Sequence, residues 1–210
     1  MINLLVHTPS TTDLLSGTYF GGQPMLPAKK DFTWPICRSC KGHMQYLGRI
    51  STPSEAPCER HALLFMCQND PGCCDEWESG GGGNSVQVVV GTLTEDVAVP
   101  TAGLTLRETA YGASVVPSQL DDYDAARQVW AKDNGCSPRE VLGQLGGHPV
   151  WIQADETPIC DACKRPMRFV AQLEQGPDWR TEMNFGGGGC AYVFDCSCDS
   201  PFGKFLWQCG

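Results

Sequence analysis

Two stretches decide the reading of this chain: Cys37-Arg38-Ser39-Cys40-Lys41-Gly42-His43-Met44-Gln45-Tyr46-Leu47-Gly48-Arg49-Ile50, and Cys160-Asp161-Ala162-Cys163-Lys164-Arg165-Pro166-Met167-Arg168-Phe169-Val170-Ala171-Gln172-Leu173. Cys, Lys and Met coincide without a gap. The apolar positions match in kind, Tyr46 with Phe169, Leu47 with Val170 and Ile50 with Leu173. Upstream, each stretch has a Gly-Gly-x-Pro segment, Gly21 to Pro24 and Gly146 to Pro149. Downstream, each reaches a short apolar run ending in cysteine, Leu63 to Cys67 and Tyr192 to Cys196. Three signals in one order indicate internal repetition.

A Cys-x-x-Cys turn leading into a strand, with cysteine returning at a later strand end, is how a zinc ribbon or knuckle is built. Zinc has no geometric preference from its d electrons and accepts four thiolates tetrahedrally, so a turn and a neighbouring strand end can supply two ligands each. In the second half the set is Cys160, Cys163, Cys196 and Cys198, with Cys209 as a spare behind the terminal apolar run. In the first half it is Cys37, Cys40, Cys67 and either Cys73 or Cys74. The expectation is one or two structural Zn2+ ions. A thioredoxin-like redox motif would need a βαβ context, which is missing. Cys58, Cys136 and Cys190 read as packing residues or loop thiols, and His43 as a surface imidazole rather than a ligand.

The chain has 210 residues with 41% hydrophobic and 19% charged, enough for one large domain and too apolar to stay disordered. Its net charge is −9 with no basic half, which argues against nucleic-acid and anionic-membrane partners. No apolar run approaches the roughly 20 residues of a spanning helix, and the start lacks a basic n-region, so a cytoplasmic location is expected. In a reducing compartment 13 cysteines point to metal or redox chemistry.

The fold class expected is α+β and β-rich: two related antiparallel β units in tandem, with zinc-ribbon-like Cys turns and short helices in the middle. One domain over 1–210 would hold two pseudo-repeats, about 20–100 and 145–210, joined by a partly helical segment 101–144. Within it, Ser118 is expected to cap a helix ending near Gly135. Ser137-Pro138-Arg139-Glu140 is expected to open a second one through Val141, Leu142 and Leu145. The runs Gly80 to Gly83 and Gly186 to Gly189 read as flexible turns, and Asp75, Glu76 and Glu78 around Trp77 either as an acidic loop for cations or a basic partner or as a solvated loop with one anchoring Trp.

Several of these residues are shared with a known family. Gly21-Gly22-Gln23-Pro24-Met25-Leu26-Pro27, Trp34-Pro35, the strand from Met44 to Ile50, and Cys74-Asp75-Glu76-Trp77 resemble blocks of YwqG-like bacterial proteins, as do Leu145 to Gln153 and Gly189 to Phe194. The resemblance covers about residues 20–210. In that pattern a single Cys precedes Asp-x-Trp, which favours Cys74 over Cys73. YwqG-like proteins are in turn similar to the programmed cell death protein 2 family, whose members are implied to bind or chaperone a ribosomal protein through a β-rich groove. The function this implies is a zinc-stabilised polypeptide-binding or chaperone-like protein without catalysis, its client a basic protein, with Trp34, Trp77 and Trp151 as groove residues. The competing classes are a zinc- or thiol-dependent hydrolase or transferase, and a thiol redox sensor.

Overall fold

The computed structural model describes residues 2–9, 17–52, 59–196, 198 and 202–210. Cys58 lies outside them, as do residues 1 and 10–16. Among the described residues twelve strands are formed: β1 (Asn3–Thr8), β2 (Thr18–Phe20), β3 (Met25–Pro27), β4 (Gln45–Thr52), β5 (Arg60–Met66), β6 (Asn84–Val90), β7 (Leu93–Asp96), β8 (Tyr111–Pro117), β9 (Val141–Leu145), β10 (Arg168–Leu173), β11 (Cys190–Asp195) and β12 (Phe202–Gln208). Ten of them close a barrel in the order β1-β8-β2-β4-β5-β6-β12-β11-β10-β9, while β3 and β7 pair separately. All barrel pairings are antiparallel. Closure gives every barrel strand a partner on both sides, which shortens the unpaired N–H and C=O rows that promote aggregation.

Strands of both halves share this one barrel. β1 pairs with β8 and β9, and β8 pairs with β1 and β2, so the opening strand of each half lies against the other half. The second seam is short, with Phe202 opposite Gln87 and Gly203 opposite Val86. Alternation along each strand sends Leu5, Ile50, Leu64, Ala171, Leu173, Val193 and Phe205 inward to one filled core. Each fully buried Leu, Val or Phe contributes about 1.5–3 kcal/mol relative to exposure.

Between the halves the structure has one α-helix, α1 (Tyr123–Asn134), not two. It starts later than Ser118 because Asp122 is the N-cap, accepting from the Ala125 N–H at 2.7 Å. Gly135 ends it in the left-handed conformation, φ 63°. Ser118 instead accepts from the Leu120 N–H in a turn. Ser137 does cap, accepting from the Arg139 N–H at 3.2 Å, but the helix it opens is a single 3-10 turn, Pro138–Glu140. The expected second helix is strand β9. Its five residues are all buried, and Gly143 has φ 146° with a would-be Cβ 2.0 Å from the Gln172 carbonyl oxygen. Burial on both faces between β1 and β10 overrides the weak local helical signal.

Candidate metal centres

Each Cys-x-x-Cys turn is fixed by three backbone hydrogen bonds, and the two turns use the same three. In the first, Cys37 N–H donates to Gly42 O (2.9 Å), Lys41 N–H to Cys37 O (3.0 Å) and Met44 N–H to Pro35 O (2.9 Å). In the second, Cys160 N–H donates to Arg165 O, Lys164 N–H to Cys160 O and Met167 N–H to Pro158 O, all at 2.9 Å. Lys41 and Lys164 both have positive φ, 62° and 59°. This chain reversal turns both thiols of each pair toward the strand end behind them.

The structure brings together Cys37, Cys40, Cys67 and Cys74 in one quartet and Cys160, Cys163, Cys196 and Cys198 in another, with the Sγ atoms of each within 4.8 Å of one another. Every described cysteine is a free thiol. Four thiolates about 2.3 Å from a central zinc would lie roughly 3.8 Å apart. The separations found are 3.6 Å for Cys40–Cys67, 3.8 Å for Cys160–Cys198 and 3.5 Å for Cys163–Cys196. Both quartets therefore fit a tetrahedral divalent ion, and neither includes a histidine or carboxylate. Cys73 and Cys209 stay outside: Cys73 is exposed, whereas Cys74 is buried in the quartet.

The quartets sit at opposite ends of the barrel. Cys67 follows the end of β5, while Arg60 at the start of β5 donates from Nε to Asp195 Oδ2 (3.1 Å) and reaches the Cys196 carbonyl (3.5 Å). The length of β5, roughly 20 Å at 3.3 Å per residue, therefore separates them.

Their electrostatics differ in the donors they carry. The Gly42 N–H, 3.4 Å from Cys40 Sγ, holds that thiol down to about 7. Arg165, through its backbone N–H and then its side chain, holds Cys163 down to about 6. Burial pushes the Cys67 and Cys74 thiols up. Although the Cys198 N–H donates to Cys196 Sγ at 3.4 Å, the Cys198 thiol and burial push Cys196 up to about 12. A divalent ion would have to displace those protons, so binding at either quartet releases protons.

Three supporting residues carry no signature in the sequence. The Asn69 amide lies 3.5 Å from Cys67 Sγ and 3.7 Å from Cys40 Sγ while donating to His43 O at 3.0 Å. Glu76 is turned inward rather than forming an exposed acidic loop: it is buried and accepts from the Gly72 and Cys74 N–H groups, which shapes the loop that carries Cys74. Arg165 plays the corresponding part beside Cys163. The first glycine run is tied into the same quartet, with Cys67 N–H donating to Gly83 O (2.7 Å) and Arg38 N–H to Gly82 O (2.9 Å). A Cβ on Gly83 would fall 2.1 Å from Cys74 O.

The tryptophans occupy three separate aromatic clusters. Trp34 is buried against Phe32 and Phe65, its indole N–H donating to Met44 O at 2.8 Å. Trp77 lies edge-on to Trp207 at 6.3 Å. Trp151 covers Tyr192 at 4.5 Å. A serine and a histidine do meet, Ser51 Oγ at 2.8 Å from His61 Nδ1, but both are buried cross-strand neighbours with His61 Nε2 facing the Gly91 carbonyl.

Among the described residues no helix is long and apolar enough to cross a membrane. No protein-family model matches the chain, and no solved structure matches it. A stretch of 61 residues is 38% identical to the uncharacterized protein YpfL of Salmonella typhimurium, covering 29% of this chain and 14% of that protein's length.

Proposed function

We propose that this chain is a zinc-stabilised binding protein of YwqG-like type, in which two related units interlock in one barrel and take a basic polypeptide. The observation that carries this reading is the pair of all-cysteine quartets, one at each end of the barrel. A catalytic zinc keeps an open position and usually a His or carboxylate ligand, whereas four thiolates close the coordination sphere. Closed sites hold structure, so the role left to the molecule is recognition. The relationship between units is supported by the strand order, which reads the same when β1 and β8, β2 and β9, β4 and β10, β5 and β11, and β6 and β12 are exchanged. It is supported further by the Gly21 N–H bond to Leu47 O (2.8 Å) and its counterpart from Gly146 N–H to Val170 O (3.0 Å).

The net charge of −9 suits a basic client, because opposite charge raises encounter rates and disfavours wrong partners. The reading places the protein in the cytoplasm, where free thiols persist. Elemental analysis of protein purified without added metal tests the first part: two zinc per chain, with four sulfur ligands per ion by X-ray absorption, is the expected result. Mixed nitrogen or oxygen coordination would transfer the reading to an enzyme. Retention of basic polypeptides at moderate salt tests the second part, and failure to retain any removes the client.

A further inference from the structure

The two ends of the barrel are finished differently. At one end the inward-facing His7 bonds Glu140 at 2.8 Å, Arg107 spans from the Tyr111 hydroxyl to the Thr181 carbonyl, and Met183 and Phe185 are buried beneath. That end is plugged by its own side chains. At the other end, among the described residues, the inward-facing positions run out without a cover over part of the rim. Asn3 pairs with Leu145, Leu5 with Val115 and Ala171 with Leu145, which places Asn3, Val115 and Leu145 on the interior face. A cleft of about 490 Å³ opens there, lined by Val115, Leu145, Phe169, Val170, Asn3 and Arg168 among others. Its volume lies in the range of small-molecule sites, for which barrel mouths are a preferred location.

The opposite half of the same rim is filled by charge. Asp195, 6% exposed, accepts from Arg60 Nε at 3.1 Å and from Arg168 Nε and Nη2 at 2.9 and 2.8 Å. Two guanidinium groups share one carboxylate, so this trio carries an excess of one positive charge. Arg168 is 66% exposed, borders the cleft, and keeps its Nη1 hydrogens outside the bonds to Asp195. Val115 is an apolar residue 48% exposed in the same cleft, and the Asn3 side chain has no partner among the described residues.

We propose that this barrel mouth is a binding site for a small amphipathic anion, an aliphatic carboxylate whose apolar tail rests on Val115, Leu145 and Val170 and whose head meets Arg168. An apolar surface facing water favours the tail, and a guanidinium whose Nη1 has no partner among the described residues pairs a carboxylate in a charge-assisted, geometrically specific bond. The site is independent of the metal reading, since none of its residues is a cysteine.

Calorimetric titration of the full metal-loaded chain with octanoate, octylamine and octanol tests it. Octanoate is expected to bind once per chain, with octylamine at least about tenfold weaker because it carries the opposite charge on the same tail. Val115→Trp fills an exposed position, so it should leave the melting temperature unchanged and abolish octanoate binding. Arg168→Gln should weaken octanoate by about tenfold and leave octanol unaffected. Equal binding of octanoate and octylamine, octanoate binding that survives Val115→Trp, or no octanoate binding at millimolar concentration would each overturn the proposal.

Discussion

The two quartets share one turn and are closed by loops of very different length. After Cys67 the chain runs from 68 to 83 before β6 begins, and this excursion carries Cys74, Glu76 and the glycine run. After Cys196 it reaches β12 at Phe202, with Cys198 two positions from its partner ligand. The long loop lets the first quartet draw its fourth thiol from a buried, hydrogen-bonded excursion, at the cost of dependence on Gly83 and Glu76. The short loop makes the second quartet a more local construction, supported by a charged neighbour, Arg165, where the first has the neutral amide of Asn69. Equal ligand sets can thus rest on unequal frameworks.

The largest expected effect comes from the ligands that both quartets have in common. Cys37→Ser and Cys160→Ser, each at a position 0% exposed, should each remove one metal equivalent per chain and lower stability by about 4 kcal/mol or more. Metal content and thermal melts read this out. If both losses are equal, the loop difference does not matter to metal retention.

Next comes the loop itself. Gly83→Ala should cost about 3 kcal/mol by overpacking against Cys74 O and should release metal from the first quartet alone. Retention of two metals at wild-type stability would show that the excursion can shift to accommodate a methyl group.

A smaller effect is expected at the neutral donor. Asn69→Ala removes amide contacts to two thiols, so chelator-driven metal loss from the first quartet should accelerate by about tenfold while the second quartet is unaffected. Biphasic loss monitored with a colorimetric chelator separates the two.

The mildest difference lies away from the metals. Burial, followed by the charge of Arg49, pushes the His61 imidazole below its usual range. Its folded form binds fewer protons than the unfolded one, so stability present above about pH 6.5 is lost progressively as pH falls through and below that value. At the matching position of the second half stands Cys190, whose thiol burial pushes up to about 12, so it adds no acid dependence. Urea unfolding between pH 7 and 5 should therefore show a decline that His61→Gln reduces.

Much of the site was legible because its signals are local. A Cys-x-x-Cys turn is specified by residues within one reversal, and the strands behind it end in cysteine wherever the apolar run ends. Cys74 over Cys73 required a resemblance as well as spacing, and the structure separates them by burial. Asn69 and Glu76 were illegible because their partners are thiols and N–H groups that come near only after the loop has folded. The helix expected from Ser137 failed for a related reason: Val141 to Leu145, Val-Leu-Gly-Gln-Leu, is too short for periodicity to separate helix from buried strand.

By itself the sequence determined the β-rich character, the two ligand turns and the end of α1 at Gly135, because alternation, turn hydrogen bonds and capping act over a few residues. Only the tertiary structure decided that the strands of both halves close a single barrel, that β9 is a strand, and that the quartets lie at opposite ends. Those outcomes depend on pairings such as β1 with β9 and β6 with β12, between segments far apart in the chain. Such contacts are selected by burying both faces of each strand at once, which no local pattern encodes.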